Sequence, residues 1–339
     1  MSQKDTPVGK SPVRTLMGVQ VVGTGSFLPE NVVTNEDLAS LGCDAQWIVQ
    51  RTGIRERRHA PPGMNTGDMS VIAAERAMQA AGVARGDVDL LLLATFTPDR
   101  LFPATATMVQ DRLGLCCGAM DLVAACSGFV YALVTGMQFV ATGGSKCALV
   151  IGADTNSRVV DPRDKKIYPL FGDGAGAVIL VRGSPEQGAL SYTLGADGSG
   201  ADLLCRETGG VAKPFDPSLG DDRSRFMHMD GRPIFKWAVR WIEESSRELV
   251  SAANLSLDQI DFWLMHQANS RILDAAADSL GLEREKVVMH LDRYGNTSAG
   301  SIPIALDETL RAGRIGRGHL LLMSGFGAGL TWGSTVFRW

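Results

Sequence analysis

"DVDLLLLATFTPD" (residues 87–99) and "QIDFWLMHQANS" (residues 259–270) are the two stretches on which the fold turns. Each has an acidic lead into an unbroken apolar run, and each is followed by a helical stretch that ends in Leu-Gly-Leu, at 113–115 and 280–282. Continuous apolar runs of this length mark strands buried on both faces. The copies lie 172 residues apart from Asp89 to Asp261 and 167 apart from Leu113 to Leu280. Beyond each Leu-Gly-Leu the order repeats: a short strand, a small-residue turn, a helix and a second apolar strand. That strand is "CALVIGAD" (147–154) in one copy and "HLLLMSGF" (319–326) in the other. Closing strands follow, "GDGAGAVILV" (172–181) and "TWGSTVFRW" (331–339). The pattern predicts a duplicated α/β unit whose two sheets stack against shared, buried helices. Working outward gives a disordered tail over 1–17, a first half over 18–187, a Gly-, Asp- and Arg-rich insertion over 188–232 that caps a cleft, and a second half over 233–339.

The bulk composition narrows the function classes. A chain of 339 residues, 45% hydrophobic and 21% charged, can bury a large core, and its length suits two halves. A net charge of −4 argues against a general nucleic-acid binder, so any acidic partner must meet a local basic patch. Cys43, Cys116, Cys117, Cys126, Cys147 and Cys205 form no CxxC pair and no dense framework, which points to no zinc site, no disulfide scaffold and a reducing, cytoplasmic setting. Runs such as "DLLLLATF" are far shorter than the roughly 20 residues a membrane helix needs. The N-terminal stretch lacks the apolar core of a signal peptide.

Chemistry gathers at the small-residue turns. In "DLVAACSGFVYALVTGMQFVATGG" (121–144) a helix from Ser127 to about Thr142 is apolar nearly all round, with Phe129, Val130, Leu133, Val134, Met137, Phe139 and Val140, so it belongs in the centre of the fold. Cys126 stands at its start, where helix N–H groups and dipole favour a thiolate, and Ala124, Ala125 and Gly128 leave room for a substrate. In the second copy His266 stands where the chain leaves a buried strand, and Asn296 just before the second central helix. "SGFGAGLTWG" (324–333) follows the last long strand with bare backbone that can offer N–H groups to an oxyanion. Two other chemistries share parts of this set. Cysteine, histidine and asparagine occur in this order in papain-like hydrolases, but the C-G-S-C-W context is missing. "VVGTGSFLP" after a first strand hints at a nucleotide loop, but Gly23-Thr24-Gly25 lacks the third glycine.

Together, "ACSGFVYAL", "HQANSRI", "YGNTSAGSIPIALDE", "GFGAGLTWG", "LFGDGAGAVIL", "VGTGSFLPE" and "WIVQRTGIRER" resemble the β-ketoacyl-acyl carrier protein (ACP) synthase III family, over nearly the whole chain from about Gly18 to Trp339. The resemblance implies a thiolase-like α/β fold, two pseudo-symmetric halves in a five-layered α-β-α-β-α sandwich. It also implies a decarboxylative Claisen condensation of an acyl-CoA primer with malonyl-ACP, through an acyl-cysteine and without a cofactor, in a homodimer whose partners are ACP and CoA thioesters. By that likeness Cys126 is the nucleophile, and His266 and Asn296 stabilise the enolate left by decarboxylation. Gly327 and Ala328 belong to the oxyanion loop and Phe326 is an aromatic gate. Trp47, Arg51, Lys165 and Asn269 meet CoA and its pantetheine arm, Phe102 lines the partner's acyl pocket, and Lys236 and Arg271 help dock ACP, with Arg232 and Arg240 as neighbours.

The chain also departs from the pattern. Ala328 replaces a frequent glycine and requires a negative φ there, and Lys165 replaces a stacking arginine. Asp278 and Ser279 stand where some relatives carry a lysine pair, and "DPSLGDDRSRF" lengthens the insertion. A secondary-metabolism relative with another acyl-CoA or acceptor is the alternative within the family.

Overall fold

The computed structural model describes residues 11–339. Ten strands build two stacked sheets: β1 (Arg14–Met17), β2 (Val19–Phe27), β3 (Leu90–Ala94), β4 (Gly118–Leu122), β5 (Cys147–Thr155), β6 (Asp173–Arg182), β7 (Gly188–Ala196), β8 (Phe262–Met265), β9 (Leu320–Gly327) and β10 (Thr331–Arg338). The first sheet runs β2-β6-β5-β3-β4 and the second β1-β7-β10-β9-β8. The duplication is visible in the pairings. The β3 strand is parallel to β5 as β8 is to β9, and each pair continues antiparallel into β6 or β10 and then into β2 or β7.

Seven helices matter for the site: α1 (Ala45–Thr52), α2 (Thr66–Ala81), α3 (Thr105–Arg112), α4 (Gly128–Thr142), α5 (Gly231–Ala252), α6 (Ser270–Leu280) and α7 (Ser301–Arg311). Alternation along each strand shows how they layer. Leu90, Leu92 and Ala94 of β3 join one core with Phe129, Val130 and Leu133 of α4, Ile302 and Ala305 of α7, and Leu264, Leu321 and Met323 of the second sheet. Leu91 and Leu93 point the other way, into a core with Met69, Ala73 and Ala77 of α2 and Val109 of α3. Trp263, Met265 and Leu322 turn likewise outward, to Ile242 of α5 and Leu273 of α6. The architecture is thus helices, sheet, two central helices, sheet, helices, which is the thiolase-like sandwich.

Several local expectations change. Arg14–Met17, within the expected tail, pairs with β7, while residues 1–10 of that tail lie outside the described residues. Gly188–Ala196, expected as loop, is a strand held on both edges by β1 and β10. Phe139 leaves the core at 38% exposure, because it faces the last, outward turn of α4. A Cβ on Gly23 would lie 2.5 Å from the Ala77 carbonyl, and one on Gly25 2.4 Å from that of Ala73. These glycines let β2 touch the backbone of α2, so "VGTGS" is close packing rather than a phosphate loop. Ala125–Thr142 is long and apolar enough on composition to cross a membrane, yet it is the central helix and its lead-in turn between the sheets.

Candidate active site

Both central helices begin with the same turn. A short 3-10 turn, Ala125–Ser127, leads into α4, and another, Ser298–Gly300, leads into α7. In each the first residue takes a left-handed φ, +45° at Ala125 and +51° at Ser298, a conformation that non-glycine residues adopt only when their surroundings dictate it. The two turns meet, with Cys126 Sγ 3.5 Å from Ser298 Oγ.

Cys126 is 7% exposed and opens onto a cavity of about 350 Å³. Its walls are Phe96, Val123, Val159 and Phe171 of the first half, Leu204, Cys205, Arg206 and Met227 of the insertion, and Ala328 and Gly329. On that side of the cavity Leu204–Cys205 pairs with His228–Met229 in a two-stranded ribbon. Behind the cysteine β9 passes with no room for a side chain, since a Cβ on Gly327 would lie 2.9 Å from the Cys126 nitrogen and one on Gly325 2.9 Å from Ser127 Cα. Thr331 Oγ1 lies 2.9 Å from both the Ser127 hydroxyl and the Ala328 carbonyl, tying the hairpin loop to the cysteine turn. Ala328 has no positive φ, as the replacement of glycine requires.

The electrostatics correct one expectation. Burial pushes the Cys126 thiol up to about 12, against the hydrogen bond it shares with Ser298 and with the charge of Asp154 adding to the rise. The resting group is a thiol, because loss of water outweighs the helix start. His266 follows β8, and its backbone N–H is bound to the Ser324 carbonyl at 2.8 Å. Burial, with nearby His290, brings its imidazole down to about 3, so it is neutral. Phe326, 3% exposed, meets the His266 ring edge-on with centroids 5.3 Å apart. Asn296 is fixed through its backbone, which receives Gly172 N–H at 3.0 Å and donates to the Leu170 carbonyl at 2.8 Å. Its Oδ1 accepts the Ser298 N–H at 2.8 Å, which directs the amide's NH₂ end away from its own turn.

The other predicted residues divide by place. Trp47, 43% exposed on α1, carries the Arg51 guanidinium 5.8 Å from its ring centre. Asn269 caps α6 and donates to the Arg51 carbonyl at 3.2 Å, and Cys43 reaches the Lys165 carbonyl at 3.6 Å, so these four gather on one surface. Arg271 lies 5.8 Å from the Phe235 ring centre, beside Lys236 and Arg232, all exposed. Arg240 is instead paired with Glu244, and Asp278 with Arg284. Phe102, 85% exposed, lines no part of its own chain's cavity.

Two groups at the site escaped the sequence reading, Ser298 and Asp154. Asp154 is the last residue but one of β5, completely buried, and its signal was a carboxylate near the end of an otherwise apolar strand.

Comparisons with known proteins agree with this picture. The family model described as 3-oxoacyl-[acyl-carrier-protein] synthase III matches residues 120–198, and its C-terminal counterpart matches 250–339. A curated β-ketoacyl-[acyl-carrier-protein] synthase III from Rhodopirellula baltica is 51% identical, over 96% of this chain and 99% of its own. The crystal structure of 3-oxoacyl-[acyl-carrier-protein] synthase III from Aquifex aeolicus superposes with a TM-score of 0.87 at 40% identity, covering 95% of this chain and all of that one. The priming β-ketosynthase of the R1128 polyketide pathway gives 0.88 at 33% identity, covering 98% of this chain and 99% of that one.

Proposed function

The chain belongs to the β-ketoacyl-[acyl-carrier-protein] synthase III family, and from that premise we propose how its own residues carry the reaction. The enzyme is an acyltransferase that condenses an acyl-CoA primer with malonyl-ACP to give a β-ketoacyl-ACP, CoA and CO₂, the initiating step of type II fatty acid synthesis. Cys126 attacks the primer thioester, its proton leaves on the CoA sulfur, and the acyl group stays on Sγ in the 350 Å³ cavity. The Cys126 and Ala328 N–H groups bind the oxyanion; among the described residues neither is taken by a turn or loop carbonyl. Malonyl-ACP then loses CO₂, and the electron pair of the broken C–C bond becomes an enolate whose oxygen is held by the neutral His266 imidazole and the Asn296 amide. The enolate carbon attacks the acyl-cysteine carbonyl, the C–S bond breaks, and Cys126 regains a proton. These steps need only side chains and amides of the chain, so the reading calls for no cofactor. The observation that carries it is the meeting of the cysteine turn and the asparagine turn, 3.5 Å apart at their side chains, over one apolar cavity.

Trp47, Arg51, Lys165 and Asn269 then receive the CoA nucleotide and pantetheine arm, and Arg232, Lys236 and Arg271 the acidic carrier. The active unit is a cytoplasmic homodimer. Supporting this are the outer edge of β4, which pairs with no strand among the described residues, and the exposed Leu101 (84%), Phe102 (85%) and Val123 (74%). Joining two copies there extends one sheet into the other and brings Phe102 to the neighbour's cavity.

The test is a condensation assay with a panel of acyl-CoAs and either malonyl-ACP or malonyl-CoA. β-Ketoacyl-ACP from short acyl-CoAs is expected; condensation only onto another acceptor would favour a secondary-metabolism role. Phe102→Ala should widen the acyl range while decarboxylation is kept, and unchanged selectivity would remove Phe102 from the pocket.

A further inference from the structure

Arg57 belongs to a two-stranded ribbon, Val32–Thr34 paired with Glu56–Arg58, and it is 0% exposed. Its hydrogen-bond partners among the described residues are three neutral oxygens. Nη1 donates to the Val33 carbonyl at 3.1 Å, and Nη2 donates to Asn35 Oδ1 at 2.7 Å and to the Pro169 carbonyl at 2.8 Å. Burial lowers the guanidinium's pKa to about 10, so the group is charged at neutral pH. A cation held in the interior by neutral oxygens alone is costly, and it persists where its geometry is needed. Asn35 is itself fixed, with Nδ2 donating to the Ile54 carbonyl at 2.8 Å. The planar fork therefore ties a braced ribbon to Pro169, 112 positions along the chain, a span that the single ammonium of a lysine does not reproduce.

Pro169 opens the segment that holds Asn296. Each of the four carbonyls of residues 169–172 meets a different group: Arg57 Nη2 at Pro169, the Asn296 N–H (2.8 Å) at Leu170, His59 Nε2 (3.4 Å) at Phe171 and Asn156 Nδ2 (2.6 Å) at Gly172. The Gly172 N–H returns to the Asn296 carbonyl at 3.0 Å, so Asn296 is bridged in parallel to Phe171. Arg57 also packs against both neighbours of this bridge. A Cβ on Gly172 would lie 3.2 Å from Arg57 Cβ, and one on Gly295, whose φ is +64°, would lie 3.3 Å from it. We propose that Arg57 is a positioning residue for Asn296, its guanidinium clamping the 169–172 segment to the ribbon so that the asparagine amide stays aimed at the enolate oxygen. The inference rests on Asn296 serving the enolate. Among the described residues no hydrogen bond joins this segment to Ala125–Ser127, so loosening the clamp reaches decarboxylation and spares acylation.

The experiment measures CO₂ release from labelled malonyl-ACP and single-turnover acylation by acetyl-CoA on the full chain, for Arg57→Lys and Arg57→Met, each alone and combined with Asn296→Ala. Either single variant should decarboxylate about 10-fold more slowly at saturating malonyl-ACP, with half-saturation and acylation each within about twofold of the parent. Added to Asn296→Ala, either should slow decarboxylation by no more than about a further twofold, because it acts through that side chain. A merely structural role would slow both half reactions and would compound the Asn296→Ala loss. Should neither Arg57 variant fold, Asn35→Ala decides alone: it removes the acceptor that holds Nη2 and should lower decarboxylation severalfold with acylation kept. Decarboxylation at the parent rate in a folded variant, equal slowing of both steps, or losses that multiply with Asn296→Ala would overturn the inference. Were Asn296→Ala itself to decarboxylate at the parent rate, the functional reading beneath the inference would fall instead.

Discussion

At Ala125–Ser127 and at Ser298–Gly300 the chain makes the same move, a left-handed residue and a tight turn opening a central helix, yet the two copies use it differently. The helices they open start 173 positions apart, at Gly128 and Ser301, which makes Ala299 the structural mate of Cys126. The Ala299 N–H is bound at 3.1 Å to buried Asp154, whereas among the described residues no turn or loop carbonyl takes the Cys126 N–H beside the cavity. One turn is anchored and brings Asn296 and Ser298 beside the other, which on the proposed function carries the nucleophile. Duplication supplied two identical frames, and function needed only one of them unsatisfied. An unpaired N–H at a buried turn is costly, and it is tolerated where an oxyanion will use it.

The sharpest way to break this contrast is at the enolate side. His266→Ala should lower malonyl-ACP decarboxylation about a hundredfold, the order of 3 kcal/mol lost with one oxyanion donor, while Cys126 is still acylated. In the parent protein the decarboxylation rate should stay flat as pH falls from 7.5 to 5. Burial holds the His266 pKa near 3, so the imidazole is neutral throughout that range, and a fall centred near 6.5 would show that it is solvated and protonating. A smaller effect is expected behind the cysteine. Gly327→Ala brings a Cβ to 2.9 Å from the Cys126 nitrogen, which should cost about 1–3 kcal/mol of stability in a denaturant titration and slow acylation more than decarboxylation. Equal slowing of both steps would mean that the two turns are not mechanically separable. The smallest effect belongs to the carrier surface. Arg271→Glu should raise the apparent KM for malonyl-ACP a few-fold, with the difference shrinking at high salt, and leave loading from acyl-CoA alone.

The duplicated strands and the central helix were legible because each rests on local pattern, continuous apolar runs and an all-round apolar helix, and the small-residue turns singled out the cysteine, histidine and asparagine to which the proposed function gives roles. What stayed hidden depends on contacts across long sequence distances. Ser298 meets Cys126 across 172 positions and Ala299 meets Asp154 across 145, and no periodicity carries such pairings. The state of the thiol was misjudged for a related reason. A helix start is written in the sequence, but the depth of burial that pushes Cys126 up to about 12 comes from β9 and the cap closing over it. Gly188–Ala196 reads as loop because its Gly-rich flanks outweigh a short β-forming run, and only pairing with β1 and β10 makes it a strand. Gly23 and Gly25 carried a phosphate-loop signal whose cause, contact with the α2 backbone, lies 50 or so residues away.

The division of labour between the halves is tested most directly by CO₂ release from labelled malonyl-ACP, measured beside acyl-enzyme formation, for Cys126→Ala and Asn296→Ala. Cys126→Ala should form no acyl-enzyme and retain some malonyl decarboxylation, because the enolate donors of the second half are untouched. Asn296→Ala should still form the acyl-enzyme on Cys126 and release CO₂ about a hundredfold more slowly. If Asn296→Ala instead abolished acylation while sparing decarboxylation, the two turns would share one task, and Asn296 would serve the thiol rather than the enolate.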